Sequence, residues 1–345
     1  MSFNDNLQEL KARQLYQSTR NQQTVLSRKA TNYSRIGFEN PYYSQLKIPR
    51  CFSDRILAHV VAWYLHNNHF FTPPLYLAVE GQPGEGKTSQ AIGTCIQHNI
   101  EVLYISASQL SGSHERESLD IMESVYQEGV ALREQGINVA MVIDDFHLSN
   151  ASQDENIKRT INSTLLTAYL MNLADDNSKE RIPVILTGND YSKIYEPLLR
   201  SGRADRFVWA PDKETRKLIV KNMLQSYVQG TDAEFNSFFE RFSQRSISDF
   251  AQLRNDCRKR LLLSEVIKYD KLERTITERI ADTLDQKLQK ISYSDLEELA
   301  IDRMNMQIHP GRAGKETTQR QKNNFPNGIN KKNRSSKKAI KRGGR

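Results

Sequence analysis

Apolar residues follow one spacing between about residues 75 and 210 and another spacing beyond Pro211. In the first region, short runs that are apolar at most positions alternate with segments whose apolar residues recur at helical spacing. Such runs are typical of strands buried on both faces of a parallel sheet. The five runs are 75–79, 101–106, 139–143, 183–187 and 207–210. Because strands that alternate with helices are joined by crossovers, the pattern predicts an α/β domain with a five-stranded parallel sheet and helices on both faces.

Helical spacing continues without a strand signal from residue 213 onward. The predicted helices are 213–228, 232–241, 248–269, 270–290 and 294–306. We therefore expect an α-helical lid subdomain over residues 212–309. The α/β domain before it is expected to span residues 49–211 and to begin with a helix at about 52–66.

Both ends of the chain are polar. Residues 1–48 are rich in Gln, Asn, Ser and Arg, which predicts a poorly ordered N-terminal arm. Residues 310–345 contain twelve Lys or Arg and one acidic residue, a net charge of +11, so the rest of the chain carries −3 of the total of +8. This segment has too few large apolar residues to offset chain entropy by burial, which predicts a disordered basic tail.

The apolar runs are too short to span a bilayer, and the first residues lack the pattern of a signal peptide. Three cysteines, Cys51, Cys95 and Cys257, lie far apart without metal-ligand spacing, and we expect them to be buried small apolar residues. These features favour a reducing compartment and no membrane partner. The expected location is the cytoplasm, or the plastid stroma if a transit peptide has been removed.

A glycine-rich motif of the form GxxxxGK[ST] joins the first apolar run to the helix after it. In this strand–loop–helix order, the N–H groups of the loop and of the helix N-terminus point at phosphate oxygens. The Lys would reach the β- and γ-phosphates of a nucleotide, and the Thr hydroxyl would bind Mg²⁺. The predicted phosphate-binding residues are Gly81, Gln82, Pro83, Gly84, Glu85, Gly86, Lys87 and Thr88.

Polar residues follow the next strands at the sheet edge where open α/β sheets bind ligands. Asp144 and Asp145 end the third run, and Asn189 comes after the fourth. We expect Asp144 to bind Mg²⁺ and Asp145 to deprotonate the attacking water. Asn189 would contact the γ-phosphate or that water, or belong to an ordinary turn.

Three arginines lie within the seven residues from Arg200 to Arg206. Taken alone, they indicate a solvated charge run. In a nucleotide hydrolase they have a second use, because a guanidinium from a neighbouring subunit can neutralise charge that develops on the γ-phosphate.

These motifs resemble those of the AAA+ ATPases in order and spacing. The matching segments are 81–88, 142–145 and 199–203, and the passages 182–192 and 195–211 are similar to Rubisco activases in particular. The resemblance covers about residues 49–306. It implies an AAA+ fold, with ATP and Mg²⁺ as cofactors.

The resemblance also implies roles for single residues. Asn189 would be sensor 1, and Arg200 and Arg203 would be arginine fingers that act in the neighbouring subunit. Arg254, in the segment 248–254, matches the sensor 2 region and would contact phosphate, although a lone helical arginine is also common on a surface. Asp145 stands where many AAA+ proteins have Glu.

The same resemblance implies a homo-oligomeric ring, expected to be hexameric, that hydrolyses ATP to remodel a client protein, with Rubisco the favoured client. Two alternatives remain open. The basic tail could bind the phosphate backbone of DNA or RNA in a nucleic-acid-associated ATPase. The chain could also be a nucleotide-dependent scaffold that binds ATP and scarcely hydrolyses it.

Overall fold

The computed structural model describes residues 33–65, 73–110, 117–148, 161–176, 181–192, 194–266 and 290–308. Its first part is built around one sheet. The strands are β1 (Ser34–Ile36), β2 (Tyr76–Glu80), β3 (Glu101–Ser106), β4 (Val139–Asp144), β5 (Val184–Gly188) and β6 (Ala204–Val208). They lie in the order β1-β3-β4-β5-β2-β6, and β2 to β6 are parallel. The first four apolar runs therefore form the predicted parallel strands, whereas β6 begins three residues before the run 207–210 and ends at Val208. The mixed α/β fold class is confirmed.

Helices cover both faces of this sheet because successive strand residues point to opposite sides. The helices are α1 (Pro41–Ser44), α2 (Arg50–Leu65), α3 (Lys87–Gln97), α4 (Glu117–Glu134), α5 (Ile161–Asp175) and α6 (Glu196–Leu199). Helices α4 and α5 pack on one face, against residues such as Leu103 and Met141. Helices α2 and α3 pack on the other face, against residues such as Val102 and Val142. Each face thus buries its own apolar cluster.

Part of the predicted N-terminal arm belongs to this domain. β1 adds a sixth, antiparallel strand beside β3. The Asn40 side chain caps α1 by accepting the N–H groups of Tyr42 and Tyr43. The Gln97 amide of α3 donates to the carbonyls of Tyr43 and Leu46, at 2.9 and 2.6 Å. The expectation of a poorly ordered arm is therefore wrong for residues 33–48, and its earlier part lies outside the described residues.

The second part of the chain is a helical unit with a phenylalanine-rich core. Its helices are α7 (Lys213–Leu224), α8 (Asp232–Phe242), α9 (Ile247–Val266) and α10 (Tyr293–Ile308). Phe235, Phe238, Phe239 and Phe242 of α8 pack with Phe250 of α9. A capping box between Thr231 and Glu234 starts α8.

Some predictions for this helical unit need correction or lie outside the described residues. A two-residue parallel pair, β7 (Val228–Gln229) with β8 (Ile291–Ser292), is present where no strand was expected. Both strands are too short to give a periodic signal. The predicted helix at 270–290, apart from residue 290, and the tail at 310–345 lie outside the described residues.

The cysteines differ in burial. Cys95 and Cys257 are buried as expected, whereas Cys51 is exposed near the start of α2, which corrects that expectation. In the part of the chain that the structure describes, no helix combines the length and apolar character needed to cross a membrane.

Candidate nucleotide site

The glycine-rich motif forms a tight loop between β2 and α3. Gly84 and Gly86 have φ values of 77° and 76°, a left-handed backbone conformation that residues other than glycine rarely adopt. At Gly81 an added Cβ would lie 2.2 Å from the backbone oxygen of Trp209, so this position has no room for a side chain. The sequence thus needs glycine at these points for conformation and for close approach.

Lys87 points its ammonium group back into the loop. Its Nζ donates to the carbonyl oxygens of Gly81 and Gln82, at 2.8 and 2.9 Å, and to Oδ1 of Asn189, at 2.9 Å. Burial lowers the pKa of this ammonium, while the carboxylates of Asp145 and Asp144 oppose the shift. The loop, β4 and β5 therefore meet at one cation.

Asp144 lies at the centre of a hydroxyl network. Its Oδ1 accepts hydrogen bonds from Thr88 Oγ1 at 2.5 Å and from Thr187 Oγ1 at 2.7 Å. Its Oδ2 accepts one from the Tyr104 hydroxyl at 3.0 Å. Carboxylate and hydroxyl oxygens this close together are the hard donors that Mg²⁺ prefers, so Thr88 and Asp144 fit the metal predicted for them.

Asp145 stands beside this network in an unusual backbone conformation. Its φ is 52°, which is uncommon for a residue other than glycine, although Asp and Asn adopt it more readily than most. Residues in such conformations cluster at functional sites. Its N–H donates to Oδ1 of Asp144 at 3.0 Å. Burial, and then the charge of Asp144, raise the pKa of its carboxyl group above the usual value. A raised pKa suits a general base, because the group then has greater affinity for the proton it must take.

Asn189 follows β5 and faces the same centre. Besides accepting from Lys87, its backbone N–H and its side-chain amide lie 3.4 Å from the two ring nitrogens of His147. His147 belongs to a short 3₁₀ turn, Phe146–Leu148, directly after the two acids. The structure thus brings Lys87, Thr88, Asp144, Asp145 and Asn189 together.

A cleft of about 430 Å³ opens over these groups, between the sheet edge and the helical unit. Tyr42, Leu46 and Lys47 of the arm line one side, and Ile219, Met223 and Ile247 of the helical unit line another. Beside the charged groups the cleft therefore has an apolar wall, as a nucleotide base requires.

The helical unit also holds the phosphate loop directly. The N–H of Ser248 donates to the carbonyl of Gly84 at 2.8 Å. Arg216 of α7 forms a salt bridge with the buried Glu85 at 3.3 Å. Glu85 lies in the predicted phosphate-binding motif, but its side chain is turned to the helical unit. The lid and the loop are therefore coupled through both backbone and charge.

Arg254 lies on α9, near the arm. Its guanidinium stacks over the ring of Tyr42, 5.8 Å from the centroid. Its Nε is buried and has no hydrogen-bond partner among the described residues. Arg254 does not line the cleft itself, although Tyr42 and Ala251, one turn earlier on α9, do.

The structure does not bring Arg200 and Arg203 to this cleft. The N–H of Tyr76, the first residue of β2, donates to the carbonyl of Arg203 at 3.0 Å. The phosphate loop leaves the other end of β2, about 13 Å further along at the usual rise of a strand. Arg200 is exposed. The two arginines therefore lie near the amino-terminal ends of the strands, whereas the glycine-rich loop of the same chain lies at the carboxyl-terminal ends.

Arg203 is bound within its own chain. Its Nε and Nη2 donate to the Asp175 carboxylate at 2.8 and 2.5 Å, and its Nη1 donates to the Pro197 carbonyl at 2.6 Å. Its side chain is only 11% exposed. This bidentate bond raises the pKa of Arg203 and lowers that of Asp175. The guanidinium joins the end of α5 to the start of β6.

Sequence reasoning missed several residues at the site: Tyr42, Tyr104, His147, Thr187 and Arg216. Thr187 could have been found, because it is the polar residue that ends an otherwise apolar run. Tyr104 and Arg216 carry no local signal, since they reach the site from a neighbouring strand and from the lid. Tyr42 comes from the arm, and His147 directly follows the two acids.

Comparison with known families gives one domain match. Residues 77–212 match the family model described as AAA, the ATPase family associated with various cellular activities. The match begins in β2 and ends just before α7. It includes the phosphate loop, both acids, Asn189 and the arginine segment.

Curated relatives of this chain include Rubisco activases. The ribulose bisphosphate carboxylase/oxygenase activase of Nostoc sp. is 30% identical over 218 residues, which are 59% of this chain and 52% of the relative. The chloroplastic activase of Arabidopsis thaliana is 28% identical over 219 residues, 60% of this chain and 46% of the relative. The chain thus spans about half the length of the curated relatives it matches.

A solved structure, that of the FIGL-1 AAA domain, has the same fold. It superposes with a TM-score of 0.53 at 20% sequence identity, over 77% of this chain and 84% of that one. Together these matches confirm the resemblance to the AAA+ ATPases and Rubisco activase that was drawn from the motifs.

Proposed function

We propose that the chain hydrolyses ATP in the cleft above β2, β4 and β5, and the match of residues 77–212 to the AAA ATPase family model supports this proposal. The observation that carries the proposal is the convergence of Lys87, Thr88, Asp144, Asp145 and Asn189 on one point. These groups come from segments that follow three separate strands. A charge cluster that formed by chance would not be expected to draw on all three.

Each group has a task in this proposal. The loop N–H groups and Lys87 bind the phosphates. Thr88 and Asp144 would hold Mg²⁺, which would supply positive charge to neutralise the phosphates. Asp145 accepts the proton of the attacking water, and Asn189 orients that water or the γ-phosphate. The apolar wall of the cleft receives the base.

The site is completed by a second copy of the chain, which makes the active form a homo-oligomeric ring. The position of Arg200 supports this step, because an exposed guanidinium near the far edge of the sheet is free to reach the nucleotide of a neighbour. We assign the finger to Arg200. Arg203, bound to Asp175, holds the segment that presents it. A hexamer is the ring size that the family resemblance favours.

ATP turnover in the ring remodels a client protein. Rubisco is the favoured client, because curated relatives that match this chain are named as Rubisco activases. The compartment proposed with this client is the cytoplasm or the plastid stroma. Arg254 would approach the phosphates when the lid closes, by leaving its position over Tyr42.

The first experiment replaces the base. The D145N variant should bind ATP with the affinity of the parent and hydrolyse it at least a hundredfold more slowly, since an amide cannot accept the proton. Turnover is measured by phosphate release and binding by a fluorescent ATP analogue. The matched control is D190N, at an exposed aspartate next to Asn189. Equal turnover in D145N and the parent would show that Asp145 is not the base.

A further inference from the structure

The Asp144 carboxylate is held on both of its oxygens. Three donors reach Oδ1, namely the hydroxyls of Thr88 and Thr187 and the N–H of Asp145. Oδ2 accepts the hydroxyl of Tyr104, at 3.0 Å. The family motifs do not include Tyr104, and none of the roles above uses it.

The sheet fixes where the Tyr104 ring lies. β3 and β4 are paired so that Tyr104 lies opposite Val142, two residues before Asp144. Residues two apart on one strand share a face, so Tyr104 and Asp144 are diagonal neighbours within reach of a long aromatic side chain. On its other side, Tyr104 pairs with Ser34 of β1. The ring also packs against the same apolar cluster as Tyr43 of the arm.

The Tyr104 hydroxyl is kept as a donor. An ordinary phenol carries its proton at neutral pH, so the Tyr104 hydroxyl can donate to the Asp144 carboxylate. Because the acceptor is charged, this bond is charge-assisted.

We propose that Tyr104 is a positioning residue for the magnesium acid. By donating to Oδ2, it fixes the rotation of the Asp144 carboxylate so that Oδ1 faces Thr88, the other expected ligand. This inference rests on the proposed nucleotide site. It also links the arm to that site. β1 pairs with β3, the strand that carries Tyr104, and Tyr43 packs against the same apolar cluster as the Tyr104 ring.

Outer groups that orient a metal ligand typically contribute tenfold to a hundredfold to metal affinity. The Y104F variant should therefore need about tenfold more Mg²⁺ than the parent to reach half-maximal binding of a fluorescent ATP analogue. Binding of the analogue without Mg²⁺ should be unchanged, because Lys87 and the loop remain. The readout is binding, so it does not depend on turnover.

The matched control is Y64F. Tyr64 also lies half-buried and donates its hydroxyl, at 2.7 Å, but to the Val139 carbonyl at the opposite end of β4. Removal of that hydroxyl should leave the Mg²⁺ dependence as in the parent. Thermal unfolding without Mg²⁺, measured for both variants, records any general loss of stability.

The outcomes separate the two proposals. A tenfold rise in Y104F alone supports the positioning role. A Mg²⁺ dependence in Y104F within twofold of the parent overturns it, and so does an equal rise in both variants, which would indicate a general effect of a lost hydroxyl. If the parent itself does not hydrolyse ATP, the proposed function fails, whatever the Y104F binding curve shows.

Discussion

Replacement of Arg203 tests whether Arg203 anchors the segment after α6 while Arg200 acts as the finger. The R203A variant removes three hydrogen bonds, two to Asp175 and one to the Pro197 carbonyl. A buried hydrogen bond to a charged group is worth about 1.5–3 kcal/mol, but the Asp175 side chain is 52% exposed, so solvent screens its two bonds. We expect a total loss of about 2 kcal/mol in the free energy of unfolding.

This loss should be visible by calorimetry. For a domain of this size, 1 kcal/mol shifts the melting temperature by roughly 2–4 °C, so R203A should melt about 4–8 °C below the parent. R200A removes an exposed side chain and should change the free energy of unfolding by less than about 0.5 kcal/mol. Turnover should nevertheless fall by a factor of roughly 10³ in R200A, if its guanidinium stabilises the transition state in the neighbouring subunit.

D175A is the discriminating control. If Arg203 acts as an anchor, D175A should lower both melting temperature and turnover as R203A does, although Asp175 has no role in chemistry. Arg203 is not an anchor if R203A abolishes turnover at an unchanged melting temperature while D175A behaves as the parent. Arg203 would then be a finger, as the family resemblance implies.

Two further predictions concern His59 and the basic tail. His59 is buried in α2, and burial lowers its pKa from 6.5 to about 4. The contribution of neutral His59 to the free energy of unfolding is therefore fully present above pH 6.5 and is lost as the pH falls toward 4. The loss is about 3 kcal/mol at most. In H59Q, the free energy of unfolding measured with urea should change less with pH over this range. A profile of unchanged slope in H59Q would contradict the assignment. For the tail, removal of residues 310–345 should leave ATP turnover unchanged, while salt-sensitive DNA binding that disappears with the tail would favour the nucleic-acid alternative.

The sequence predicted the parallel part of the sheet because four of its strands, β2 to β5, coincide closely with runs that are apolar at most positions. It also placed Lys87, Thr88, Asp144 and Asp145 at one edge, since the carboxyl ends of parallel strands must meet there. Asn189 could be placed by the same rule. The position of these residues is set by the order of the strands, and short sequence motifs show which residues follow each strand.

Other features depend on contacts that no local pattern encodes. β1 has three residues, Ser34, Arg35 and Ile36, and forms only because β3 offers a free edge. The bond between Tyr104 and Asp144 depends on the register of two strands. The salt bridge of Arg203 with Asp175 joins residues 28 positions apart. Each of these contacts is fixed by tertiary packing. The sequence alone could therefore not show whether Arg203 belongs to a solvated charge run or binds Asp175.

A mixing experiment tests whether one ATP site is built from two copies of the chain. R200A lacks the proposed finger but keeps Asp145, whereas D145N lacks the proposed base but keeps Arg200, so neither should turn over ATP alone. In an equal mixture that exchanges subunits, about a quarter of the interfaces join an intact base to an intact finger. Phosphate release from the mixture should recover to about a quarter of the parent rate. Release no higher than the mean of the two separate variants, with mixed oligomers shown to form, would contradict it.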